Sequence, residues 1–341
     1  MRMTSARERG NATLRDVARA ARVSTATVSR VMSQPGIVRP QTRRRVEREI
    51  ARLHYVSDGP ARALSTRRTH TIGAVIPTLD NAIYSVSTHS LQKALEPAGY
   101  TLLLACHEFD LDAEARMVRA FAGRGVDGLV LVGRAHAPET RKLIHAQGIP
   151  VVYTWALDSP RRGACVGFDN RAAGRLVAAH LLQLGHRRIG VICGRLEGND
   201  RASDRLQGVR EELRRARVAL QAANVVEAHY SLQAGQDAVG QLLARADLSA
   251  VICGNDVLAI GAIQAAQRRG LRVPQDISIT GLDDMEIASI VTPALTTVRF
   301  PIAEVGERAA RHLLERIGGA AGRCIELPLE LVVRQSTCRP Q

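Results

Sequence analysis

Aromatic residues are scarce in this chain: four phenylalanines, five tyrosines and one tryptophan among 341 residues. Lysine is scarcer, since 45 of the 47 basic residues are arginine. Without a broad aromatic or leucine face, the basic segments are poorly suited to lie on a membrane surface. No stretch approaches the roughly 20 apolar residues of a membrane span. Residues 1–12 are short, polar and basic, without the apolar core of a secretion signal. The six cysteines (Cys106, Cys165, Cys193, Cys253, Cys324, Cys338) are scattered, with no C-x-x-C, and several fall in apolar runs. Free cysteine there behaves as a small hydrophobe, so neither metal ligation nor a disulfide is expected. The chain has no G-x-x-x-x-G-K-[ST] phosphate loop, no G-x-S-x-G elbow and no H-E-x-x-H. His136 and His186 have no partner at catalytic spacing. These absences point to a cytoplasmic, nucleoid-associated protein without metal, cofactor or catalytic machinery.

Acid is missing where the chain begins. Residues 1–70 hold 16 arginines against five acids (Glu8, Asp16, Glu47, Glu49, Asp58), which is +11 of a total of +14. Genome composition accounts for a preference for arginine but not for its placement. A basic block joined to a nearly neutral body fits a polyanion-binding head.

Within that block, residues 13–31 read as two short helices joined by a tight turn. Thr13 with Asp16 makes a capping-box start, and Ser24 caps the second helix. At about 100° per residue, Thr25, Ala26, Ser29 and Arg30 share one face, while Val28 and Val31 point away. Taken alone, this is an ordinary helical hairpin. Beside a basic third helix over residues 41–53, anchored by Val46, Ile50 and Leu53, it suits insertion into a DNA major groove. Arg43, Arg44, Arg45, Arg48 and Arg52 then contact phosphates and position the head.

Residues 58–70 read either as a plain linker or as a short hinge helix that orders in the minor groove and wedges Leu64 between base steps. From Thr71 apolar strand-like runs alternate with helix-length segments. One series covers residues 72–77, 100–106, 128–132 and 150–155; a second covers 189–194, 225–230, 250–254 and 277–282. Strands interleaved with helices imply parallel sheets covered on both faces. The fold expected is an all-α head over 12–57, a hinge over 58–70 and a core over 71–338. That core is α/β, with two doubly wound parallel-sheet subdomains crossing near 168–171 and 296–301. Its ligand site lies in the cleft beyond the carboxyl ends of the strands.

The chain resembles the lactose-repressor/galactose-repressor family of bacterial transcription regulators along nearly its whole length. The head motif L-R-D-V-A-R-A-A-R-V-S-T-A-T-V-S-R-V-M carries the resemblance, with A-R-A-L at 61–64, V-D-G-L at 126–129 and G-I-P-V at 148–151. So do G-F-D-N at 167–170, L-G-H-R-R-I at 184–189, G-N-D at 254–256, L-R-V-P-Q-D at 271–276 and T-P-A-L-T-T at 292–297.

The resemblance implies a helix-turn-helix head on a periplasmic-binding-protein-like core. It also implies a homodimer on a pseudo-palindromic double-stranded operator, released or retained according to a small effector. On the head, Thr25, Ala26 and Arg30 read base edges, Thr27 and Ser29 flank them, and Arg62 and Leu64 serve the hinge. Ala26 replaces a longer side chain of many relatives, which leaves thymine-methyl contact as its role. In the cleft, Arg205 and Asp283 match effector-holding positions, Tyr84 and Trp155 form walls, and Asp256 either touches ligand or shores up the local fold, as does Asp169. For Trp155 plain packing is the competing role. Residues Arg134–Thr140 and Gly167–Asn170 resemble the gluconate-repressor group, making a sugar acid such as gluconate, or else a sugar, the expected effector. Asp283 departs from that group, because an acid beside a ligand carboxylate needs a screening base. The C-terminus has no leucine-heptad extension, so a dimer is the simpler expectation, with a tetramer as the alternative. A secreted sugar-binding protein would lack the basic head, and an enzyme would show turnover.

Overall fold

The computed structural model describes residues 12–56, 68–157 and 163–341, which fall in two compact units, 1–69 and 70–341. In the first, helix α1 (Leu14–Ala20) begins at a reciprocal cap. The Thr13 hydroxyl accepts from the Asp16 amide at 3.3 Å, and the Asp16 carboxylate accepts from the Thr13 amide at 3.0 Å. Helix α2 (Thr25–Ser33) starts at Ser24, whose Oγ accepts from the Thr27 amide at 3.1 Å. Helix α3 (Pro40–Arg52) opens with proline in its first turn, where the missing N–H is tolerated. Val17, Ala21, Val28 and Val46 are fully buried and knit the three helices together. The apolar periodicity seen in the sequence is the core of this unit.

The second unit contains a six-stranded parallel sheet of strand order β11-β5-β4-β3-β1-β2. Its strands are β1 (Thr71–Ile76), β2 (Thr101–Cys106), β3 (Gly128–Val132), β4 (Val151–Thr154), β5 (Ala164–Gly167) and β11 (Cys324–Glu326). Side chains alternate across it. Val75, Leu129 and Leu131 face α5 (Leu111–Gly123) and α6 (Pro138–Gln147), whereas Ala74, Val130 and Val132 face α4 (Ala82–Leu95) and α12 (Ile302–Ile317). Burial on both faces explains the unbroken apolar runs.

The second subdomain has the order β7-β6-β8-β9, from β6 (Ile189–Gly194), β7 (Val225–Ala228), β8 (Ala250–Cys253) and β9 (Ser278–Thr280). It is flanked by α7 (Asn170–Leu184), α8 (Asp200–Arg215), α9 (Leu232–Arg245) and α10 (Asp256–Arg268). A short helix α11 (Ile287–Ile290) follows, and β10 (Thr297–Arg299) pairs antiparallel with β12 (Glu330–Val332).

The sequence suggests two crossings between subdomains, and the structure has three: Phe168–Asp169, Phe300–Pro301 and the stretch between β11 and β12. At the third, the Leu327 amide donates to the Gly167 carbonyl at 2.8 Å, carrying the β5–β11 ladder up to the crossing. Three-residue strands leave too little periodicity to be seen in sequence. The cysteine expectation is also corrected, because Cys165 on β5 and Cys324 on β11 are disulfide-bonded across 159 residues.

Candidate functional site

On the head, Thr25, Ala26, Ser29 and Arg30 are exposed along one face of α2, and Thr27 is partly covered. Arg44, Arg45 and Arg48 are exposed on α3, while Arg43 and Arg52 pair with Glu47 and Glu49 at 3.6 and 2.7 Å. A row of small polar side chains ending in one guanidinium, beside arginines on a neighbouring helix, has the makings of base readout flanked by phosphate contacts. Arg62 and Leu64 lie outside the described residues.

In the core, the candidate residues gather where strands end. Tyr84 follows β1, Trp155 follows β4, Arg205 lies in the helix after β6, Asp256 follows β8 and Asp283 follows β9. Tyr84 and Trp155 are buried and meet edge to face at 5.2 Å. Trp155 and Phe168 meet at 6.0 Å, and Phe168 stacks on Phe300 at 4.3 Å. This aromatic wall runs along two of the crossings, so Trp155 packs against the fold in this structure.

Arg205 Nη1 donates to the Asn170 side-chain oxygen at 2.9 Å, and its Nη2 donates to the Tyr230 hydroxyl at 3.1 Å. Asn170 Nδ2 in turn donates to the Trp155 carbonyl at 2.8 Å. The α7–α8 crossing sets this geometry. A Cβ at Gly174 would strike the Arg205 carbonyl, and one at Gly208 the Arg171 carbonyl, so the glycines let the two backbones meet.

Arg201, one turn before Arg205 on the same helix face, is a residue the sequence reading passed over. It is buried; its Nη1 donates to the Asp200 carboxylate at 2.8 Å and reaches the Val132 carbonyl of the other subdomain at 3.4 Å. Gly133, at φ 86°, leaves the space that this guanidinium fills. The Tyr84 hydroxyl is a further partner, and burial pushes that phenol above its usual range. The i, i+4 spacing of Arg201 and Arg205 was the available signal.

Arg134 also links the subdomains. Its backbone amide and Nε donate to the Asp200 carboxylate at 3.0 and 3.2 Å, and its Nη2 pairs with Asp204. Asp200 thus takes Arg134 and Arg201, and Asp204 takes Arg134 and Arg171, while Arg205 stands apart from both aspartates.

Asp256 and Asp283 behave differently. Asp256 accepts from the Thr297 hydroxyl at 2.6 Å and the Met285 amide at 2.8 Å, so both its oxygens are engaged within the fold. Burial nonetheless lifts its carboxyl to about 7. Asp283 is 3 % exposed, and its Oδ2 has no hydrogen-bond partner among the described residues. Burial, reinforced by the charge of Asp256, raises Asp283 well above the ordinary carboxylate range. It sits at φ 129°, followed by Asp284 at φ 56°, a strained turn of the kind that collects at functional sites. Asp169 caps α7, accepting from the Ala172 amide at 3.0 Å and Arg175 at 2.9 Å.

Further buried polar atoms without partners among the described residues include Arg205 Nε, Asn255 Nδ2, Thr280 Oγ1 and both ring nitrogens of His107. Burial lowers His107 below the usual histidine value, which keeps the ring neutral. Unmet donors and acceptors at strand ends are what an absent polar ligand would satisfy. A roomier crevice of about 480 Å³ lies elsewhere, along α6 and β4 beside Arg141, His145, Tyr153 and Arg316, and meets the cleft at Arg134.

Residues 13–58 match the model for bacterial regulatory proteins of the lacI family, and 178–337 match a periplasmic binding protein-like domain. The transcriptional regulator MalR of Streptomyces coelicolor is 36% identical over 95% of this chain and 96% of its own length. The regulator GntR of Pseudomonas aeruginosa is 32% identical, covering 97% of each chain. Among solved structures, the lac repressor dimer bound to operator and the anti-inducer ONPF superposes with a TM-score of 0.85. It shares 28% identity and covers 96% of this chain and all of its own.

Proposed function

Because this chain belongs to the lacI family of bacterial regulatory proteins, we propose that its effector is a sugar acid such as gluconate, held between the core subdomains by Arg205 and Arg201. As a member of that family it is a DNA-binding transcription regulator and not an enzyme. The observation that carries the effector reading is the state of Arg205. It meets the neutral side chains of Asn170 and Tyr230, has no carboxylate ion-pair partner among the described residues, and keeps a buried Nε without an acceptor. A ligand carboxylate supplies the missing charge and acceptor together. Asp283 does not oppose it: held neutral by burial, the carboxyl donates its proton to a ligand oxygen instead of repelling it.

On the DNA side, Thr25, Ala26 and Arg30 face base edges in the major groove, Thr27 and Ser29 support them, and Arg62 and Leu64 engage the minor groove through the hinge. Two such heads in a homodimer match the two halves of a pseudo-palindromic operator. Effector shifts the balance between arrangements of the two subdomains, and the difference in effector affinity between them is the energy that reaches the operator.

A thermal-shift titration of the purified protein tests this. Gluconate at 100 times its dissociation constant stabilises by about 2.7 kcal/mol, a clear rise in melting temperature, whereas glucose, ribose and purines leave it unchanged. A shift with neutral sugars or purines and none with gluconate overturns the sugar-acid reading.

A further inference from the structure

We propose that Cys165 and Cys324 are a reversible thiol–disulfide couple that governs the freedom of the hinge between the core subdomains. The proposal rests on the reading of the core as a two-subdomain effector switch, but not on the identity of the effector.

The two cysteines face each other in register on neighbouring parallel strands, with Cα atoms 4.4 Å apart, within bonding range. Both strands leave the first subdomain almost at once. β5 crosses through Phe168 and Asp169 to Asn170, the residue that receives Arg205; β11 crosses three residues after Cys324. The remaining crossing, Phe300–Pro301, has no disulfide among the described residues. The bond therefore makes two of three hinge segments move as one. Reduced, β11 is a three-residue edge strand held to β5 by backbone hydrogen bonds with no covalent tie.

Of the other four cysteines, Cys106 and Cys338 are partly exposed free thiols, and Cys193 and Cys253 are buried. Cys193 is buried and its thiol is pushed up to about 11; Cys253 is buried and pushed up further. Both stay protonated and unreactive near neutrality. Cys324 is partly exposed, whereas Cys165 is fully buried, which orders the steps. The Cys324 thiolate attacks the outer oxygen of a hydroperoxide, forming a sulfenic acid and releasing the alcohol. The Cys165 sulfur then attacks that sulfenic sulfur, closing the S–S bond and expelling water. Two thiols and one hydroperoxide thus give one disulfide, one alcohol and one water. A dithiol reductant reverses the change, becoming a disulfide itself.

The full chain, treated with hydrogen peroxide or with dithiothreitol, is examined by intact mass, by mapping of blocked thiols and by hydrogen exchange. The expected result is a loss of the mass of two hydrogen atoms localised to Cys165 and Cys324, slower exchange over residues 324–330 in the oxidised protein, and a higher melting temperature, because the bond closes a 159-residue separation in the unfolded chain. Cys324→Ala should exchange like the reduced wild type under both treatments, and the reduced wild type itself serves as a comparator that keeps every side chain. Recovery of six free thiols after peroxide, or equal exchange over 324–330 in the two states, overturns the proposal. A parallel gluconate titration bears on the effector assignment alone, so failure there leaves the exchange result to decide this one.

Discussion

The Arg205 guanidinium and the Asn170 side-chain oxygen lie 2.9 Å apart, one on a helix of the second subdomain and the other at the first crossing between the two. Through Asn170, whose amide holds the Trp155 carbonyl at 2.8 Å, a charge at the cleft is tied to the backbone that must bend when the subdomains move. On the proposed reading, a ligand that engages Arg205 would act on that crossing through Asn170.

Arg205→Ala should therefore lower gluconate affinity at least 30-fold, which is about 2 kcal/mol, and abolish the effector response. Operator affinity without effector should be unchanged. Calorimetric titration and a fluorescence operator assay read the two quantities separately; an effector response equal to wild type removes Arg205 from the site.

Arg134→Ala removes the side-chain link from the first subdomain to Asp200 and Asp204 and leaves the backbone amide bond to Asp200. The arginine is one-third exposed, so the pair contributes modestly, on the order of 1 kcal/mol after solvent screening. The closed arrangement should lose that amount, seen as a roughly fivefold weaker effector half-saturation with an unchanged operator affinity in its absence.

Two arginines of the head should separate by salt dependence. Arg30→Ala is expected to cost about 1–3 kcal/mol and to relax preference at one operator position, as loss of a bidentate base contact does. Arg44→Ala should weaken all sequences alike and reduce the salt slope by about one ion. Leu64→Ala should weaken operator binding and leave gluconate binding intact; equal operator affinity would discard the wedge.

The buried aspartates predict a pH dependence of stability. Asp256 is raised to about 7 and Asp283 is raised too, so the folded state holds protons that the unfolded chain releases near 4. Their favourable contribution is complete below about pH 4 and is lost as pH rises through 7. For Asp256 the loss is on the order of 4 kcal/mol, from its displacement to about 7. Melting temperatures recorded from pH 5 to 8 should fall, and Asp283→Asn should flatten that fall by removing one of the two acids. An equally steep fall in the variant would show that Asp283 is ionised in the folded protein.

Much of this molecule is set by local pattern. The Thr13–Asp16 cap, the Ser24 cap, the valines behind α2 and the apolar runs of the parallel strands all lie within a few residues of the groups they act on. Periodicity therefore determined the head and the two strand series, whereas the choice of Tyr84, Arg205 and Asp283 rested on the family resemblance. Arg201 and Arg205 were on one helix face in the sequence, but that Arg201 reaches Val132 required the chain to fold back across 69 residues. The partners of Asp256, the meeting of Arg205 with Asn170 and Tyr230, the third crossing and the Cys165–Cys324 bond share that character. Each joins segments far apart in the chain, through strands too short to show a period or side chains whose partner is fixed only when two layers pack. Burial, which shifts the charge on Asp256 and Asp283, is likewise a property of the packed whole and not of any neighbouring residue.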